Sequence, residues 1–132
     1  MPVTALYASL LTPVFVLLAS RVIGARRGAG VAVGDGGAAP LMRRMRVLAN
    51  FAEYVPLALL LLALAESLGT SIWLLHALGL ALLGGRIVHA FGMSQAEEKL
   101  SFRVVGVATT FWTLGIAALA CFYGALVREF GF

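Results

Sequence analysis

Residues 46 to 54 read RVLANFAEY, and after Val55 the chain runs on as PLALLLLALA. An arginine, an asparagine and a glutamate at spacings i, i+4 and i+7 do not belong in so apolar a segment by chance of packing. At about 100° per residue, Asn50 lies about 40° from Arg46 around a helix and Glu53 about 20° to the other side, so the three form one stripe and can act on one object. A charged side chain in the apolar layer of a membrane costs about 2.5–3.5 kcal/mol on insertion scales, so Glu53 needs a partner or a wet cavity. Two readings fit the spacing equally. In one, Arg46 or an arginine of a neighbouring helix neutralises Glu53 and the trio locks helix packing. In the other, the stripe holds a ligand.

A second polar pair, Arg86 and His89, is about 60° apart on one helical face. A cation beside His89, with no Asp, Cys or second His at ligand spacing, is a poor metal site, and no metal is expected. A small anion with two carboxylates and an ammonium suits the whole set. Arg46 takes a carboxylate in bidentate fashion, Glu53 the ammonium and Asn50 a peptide group. Glutathione is such a molecule, and its thiol, with an ordinary pKa of about 8.5, becomes a nucleophile when a nearby cation favours the thiolate. His76, alone in SIWLLHALG, reads as a packing or interfacial residue, and Glu66, near the far end of its helix, as solvated. Neither GxSxG nor HExxH occurs, and GDGG in the first loop has no preceding strand to make it a nucleotide cradle.

The elements that must hold these residues are membrane helices. Of 132 residues 61% are hydrophobic and 12% charged, which excludes an ordinary soluble domain. The length allows one domain of about four spanning helices, and the expected spans are 4–25, 41–68, 71–93 and 104–127. The first has no Lys or Arg before it and is longer than a signal-peptide core, so it reads as a retained helix. Pro13 should kink it or be accommodated by its neighbours. ESLGTS between spans two and three is so short that they must form an antiparallel hairpin. The net charge of +4 comes from basic residues beside apolar segments with no polar groove between them, so nucleic acid is not a partner. Arg26, Arg27, Arg43, Arg44 and Arg46 surround the first loop and Lys99 and Arg103 the third, whereas the turn between spans two and three has no basic residue. The positive-inside bias then puts both basic loops in the cytoplasm and both termini outside. Cys121 is the only cysteine, inside ALACFYGAL, and reads as a small buried hydrophobe.

Four spans with RVLANFAEYVPL at the second resemble the MAPEG family, the membrane-associated proteins of eicosanoid and glutathione metabolism, whose motif is RxxxNxxE followed by an aromatic residue and Pro. The matching residues are Arg46, Asn50, Glu53, Tyr54 and Pro56. VIGARR, ending at Arg26 and Arg27, and GRIVHAFG, around Arg86 and His89, resemble two further family segments and lie in the same order. Within the family the chain resembles a bacterial-type microsomal glutathione transferase. The resemblance implies an all-α, four-helix integral membrane protein that assembles as a homotrimer in the bacterial inner membrane. It implies glutathione bound in a U shape between subunits at the cytoplasmic side, held by Arg46, Asn50, Glu53 and Tyr54, with Arg26, Arg86 and His89 as further contacts. Arg103 matches the family arginine credited with stabilising the thiolate, and Arg27 is a second cation near the electrophile.

The implied activity is a glutathione transferase, or a peroxidase using the same thiolate, acting on a lipophilic electrophile that arrives from the bilayer. Met93 stands where the eicosanoid-pathway members carry a tyrosine, and His89 where some do. A non-catalytic lipid- or glutathione-binding scaffold is therefore the second reading. A small transporter is the third, and it fits poorly because the polar groups stay at one end of the bilayer instead of lining a full path.

Overall fold

The computed structural model describes residues 1–94 and 100–131, nearly all within or between four helices: α1 (Pro2–Ala29), α2 (Ala39–Ser67), α3 (Ile72–Ser94) and α4 (Leu100–Phe130). Residues 95–99, including Lys99 of the third connection, lie outside the described residues. Each helix is long and apolar enough to cross a membrane. With 31 residues, α4 is about 46 Å long, well beyond a hydrocarbon core of about 30 Å, so its ends project into the interfaces.

The helices overrun the spans drawn from hydropathy. Arg26 and Arg27 sit in the last turn of α1 rather than in a loop, and Arg103 sits in the first turn of α4. Polarity marks where a helix leaves lipid, not where it ends. Basic side chains in a last turn also suit the negative end of the helix dipole. Pro13 leaves α1 unbroken.

Along α2, Val47, Phe51, Val55, Ala58, Leu62 and Ala65 are buried, at alternating spacings of four and three residues that put one stripe against the bundle. Leu75, Leu78 and Leu82 of α3 and Tyr7 and Leu11 of α1 meet it. The α2–α3 turn closes on Gly69, whose φ of 86° an L side chain would strain. There Gly69 N–H donates to Glu66 O and Thr70 N–H to Ala65 O, ending α2 with the carbonyls satisfied. Both α1 and α4 pack on α2 and α3, and among the described residues they do not touch each other. The α2–α3 hairpin is thus the centre, with α1 and α4 on opposite flanks.

Glu66 is not left to solvent as its position near the helix end suggested. Its carboxylate accepts from Val3 N–H (3.0 Å), Thr4 N–H (2.9 Å) and Thr4 Oγ1–H (2.7 Å), capping the N-terminus of α1. One turn deeper, the hydroxyl of Tyr7 donates to the carbonyl of His76 at 3.1 Å and lies 3.1 Å from its Nδ1, so His76 is a packing residue tied to α1. Cys121 is half-buried, with its thiol donating to Leu61 O at 3.1 Å.

Candidate functional site

The motif on α2 alternates with the core stripe. Val47, Phe51 and Val55 face the bundle, while Arg46 and Glu53 are exposed on the subunit surface and Asn50 and Tyr54 are half-buried between the two faces. Among the described residues neither Arg46 nor Glu53 has a hydrogen-bonding or ion-pair partner within the subunit. The packing-lock reading, with Glu53 neutralised by an arginine of the same chain, is not what the fold builds. Glu53 is the midpoint residue of α2.

Asn50, between them, is fixed. Arg86 Nη1 donates to Asn50 Oδ1 at 2.7 Å and Arg86 Nη2 to the Gly106 carbonyl at 2.9 Å, so one guanidinium ties α3 to both α2 and α4. Arg86 is 2% exposed, and its Nε has no partner among the described residues. The approach depends on Gly106. A Cβ there would come 2.6 Å from Gly85 O and 2.6 Å from His89 Cβ, so only glycine lets α3 and α4 meet at this level. The same carbonyl also accepts from Thr110 Oγ1 at 2.9 Å, which satisfies a hydroxyl buried in the span. Small residues on facing helices are the signal that could have found this approach. Gly85 and Gly106 do form the close contact, whereas Gly84 faces outward.

Arg86, expected among the ligand contacts, is therefore enclosed by its own subunit. His89 is 3% exposed and lies against Gly106, and Met93 is buried a turn further on. Tyr54 leans on α4, its ring 5.3 Å from that of Phe111 and nearly perpendicular to it. Phe111 also borders an open groove of about 450 Å³ along α4, lined by Leu100, Arg103, Val104, Val107 and Ala108. The groove runs from Phe111 to the exposed Arg103, eight residues and about 12 Å away along α4 at the helical rise. Phe111 was no part of the residue set expected from sequence. Only the packing of α2 on α4 reveals it.

The two candidate catalytic cations are not brought together within the chain. Arg103 is on α4, whereas Arg26 and Arg27 end α1 on the opposite flank. Arg26 holds the α1–α2 connection, with Nη1 donating to Ala32 O at 3.0 Å and Nη2 3.5 Å from the Met45 sulfur. Arg27 is exposed beside it, on the rim of a groove that includes Gly30 and Val31. Apart from Glu53 and Tyr54 at the middle of α2, the candidate residues nonetheless lie toward one end of the bundle, and among the described basic residues only Arg128 stands at the other.

The sequence model of the MAPEG family matches residues 4–123. Two relatives, the inner membrane protein YecN of Escherichia coli strain K12 and its counterpart in Escherichia coli O6:H1 strain CFT073, are each 33% identical over 118 residues, covering 89% of this chain and 88% of theirs. The family match spans all four helices and every candidate residue from Arg26 to Arg103, so this four-helix membrane protein belongs to the MAPEG family.

Proposed function

We propose that the protein is a membrane glutathione transferase whose site is completed between copies of the chain. The observation that carries this reading is the state of the motif. Asn50 is fixed from inside, while Arg46 and Glu53 present opposite charges on the outer surface of a spanning helix without partners among the described residues. Two charges left so in lipid would be costly, and a water-filled cleft against a second subunit removes that cost. The separation of Arg27 from Arg103 has the same explanation, because a neighbouring copy can bring the α1 flank of one subunit to the α4 flank of another. A homotrimer, by the family resemblance, closes the ring.

In this reading Arg46, Glu53 and Asn50 bind the carboxylate, ammonium and peptide groups of glutathione, Tyr54 packs against it, and Arg26 and His89 shape the site. Arg103 holds the thiol as thiolate by placing a cation beside the developing charge. The lipophilic electrophile enters sideways from the bilayer along the apolar surfaces beside Phe111, with Arg27 near its leaving or accepting group. The relatives are named inner membrane proteins, and the clustering of basic residues at one end supports the same membrane here, with that end in the cytoplasm.

Met93 supports a second reading. It is 9% exposed and supplies no hydroxyl where eicosanoid-pathway members carry tyrosine, which suits a scaffold that binds without turnover. One titration separates the two. An enzyme shows thiolate absorbance near neutral pH when glutathione is added to the detergent-solubilised protein, loses it in Arg103→Ala, and turns over a chromogenic chloro-nitroarene. A glutathione-binding scaffold binds glutathione without either signal, and absence of binding removes the enzyme reading and leaves a lipid-binding scaffold.

A further inference from the structure

We infer that Arg86 is a positioning residue that commits Asn50 to the role of hydrogen-bond donor, so that the site recognises an oxygen acceptor of its ligand, a carbonyl or carboxylate, at that point. The inference rests on the glutathione reading for the identity of the ligand, but not for the orientation of Asn50.

The chemistry of the pair fixes that orientation. A guanidinium donates and cannot accept, so the Asn50 atom 2.7 Å from Arg86 Nη1 must be the carboxamide oxygen. The oxygen being engaged from inside, what Asn50 can offer outward is its Nδ2. Arg86 cannot contact a ligand at the subunit surface, since it is 2% exposed and its second arm is anchored on Gly106 O at 2.9 Å. It therefore acts through Asn50. Among the described residues no carboxylate pairs with the guanidinium, so its charge is not cancelled locally and polarises the carboxamide, strengthening the Nδ2 donors toward an electron-rich oxygen. The planar fork is what the geometry requires. Its two arms reach two acceptors on two helices at once, which a lysine ammonium does not reproduce.

Asn50 is the only asparagine in the chain, so protein labelled with side-chain ¹⁵N asparagine gives a single pair of amide resonances in detergent micelles. Three results are expected. Glutathione shifts that pair in the wild type. Arg86→Lys moves the pair in the ligand-free protein and weakens glutathione binding. Asn50→Asp keeps an oxygen for Arg86 but removes the outward donor, and weakens glutathione by about tenfold or more while the melting temperature holds or rises. Because both changes act through one group, Arg86→Lys adds little further loss of affinity on the Asn50→Asp background.

Glutathione bound by Asn50→Asp as tightly as by wild type overturns the inference, and so do fully additive losses. If Arg86→Lys fails to fold, Asn50→Asp alone decides. If the wild type binds no glutathione, the ligand reading falls and its donor role with it. The ligand-free resonances of Arg86→Lys then still decide the orientation, and an unmoved pair sinks it.

Discussion

α2 carries two carboxylates, Glu66 at its C-terminal end and Glu53 at its middle, and the fold treats the two in opposite ways. Glu66 accepts three hydrogen bonds from the first turn of α1, while Glu53 stands at mid-helix with no partner among the described residues of its own chain. A saturated carboxylate at a helix N-terminus needs nothing more, and it fastens α1 to the hairpin. A carboxylate left open in a spanning segment is costly, and in the proposed reading a second copy of the chain and the ligand between them offset that cost. The same contrast separates Tyr7–His76, closed on itself, from Arg46, exposed beside Glu53. The Glu66 end, the outer one in the proposed reading, closes on itself, and the inner end is, in that reading, completed by a second copy of the chain.

The largest effect that sharpens this contrast is expected from Arg103→Ala. If the inner end holds a thiolate, turnover of a chloro-nitroarene falls by about 100- to 1000-fold, the scale for removing one charge-stabilising group. Glutathione affinity and melting temperature change far less. Loss of affinity in proportion to turnover would make Arg103 a binding contact instead. Steady-state kinetics with equilibrium dialysis decide between them.

The same substitution at the two carboxylates gives the next test, with opposite signs expected. Glu53→Gln removes an uncompensated charge from the span, so the melting temperature in detergent rises while glutathione affinity falls by about 10- to 100-fold through loss of the ammonium partner. Glu66→Gln puts an amide nitrogen where the α1 N–H donors need an acceptor and removes the charge facing the helix dipole. It lowers stability by about 1–2 kcal/mol and leaves affinity as it was. Equal effects of the two substitutions on melting would erase the distinction between the ends.

What the sequence made legible follows from the range of each interaction. The four helices, the tight α2–α3 turn and the common face of Arg46 and Glu53 are local, set by hydropathy over a span and by helical spacing. The seating of Asn50 is not, because its partner Arg86 lies 36 residues away. Glu66 misled for the same reason. Its donors Val3 and Thr4 are more than 60 residues distant in the chain, and nothing near Glu66 announces them. Small residues permit close helix approach without saying which pairs use it, and only the docking of α3 on α4 selects Gly85 with Gly106 and turns Gly84 away. Helix ends were misplaced because hydropathy reports the edge of lipid, whereas Arg26, Arg27 and Arg103 continue the helices past it.

The smallest effect lies at the outer end and tests whether it is purely structural. Tyr7 is 3% exposed, and its hydroxyl reaches both the carbonyl and the Nδ1 of His76. Tyr7→Phe keeps the ring, which sits directly over Gly79, and removes only the hydroxyl. The His76 carbonyl keeps its place in the helix ladder, so one bond is lost and no strongly polar group is stranded. The expected cost is about 1 kcal/mol, a drop of a few degrees in melting temperature. Because α1 also carries Arg26 and Arg27 at its other end, a loosened α1 could in principle reach the site. If the two ends are independent, glutathione affinity and turnover in Tyr7→Phe match the wild type below the melting transition. A change in either would mean that α1 transmits its docking along its whole length, and the division of labour between the ends would have to be redrawn.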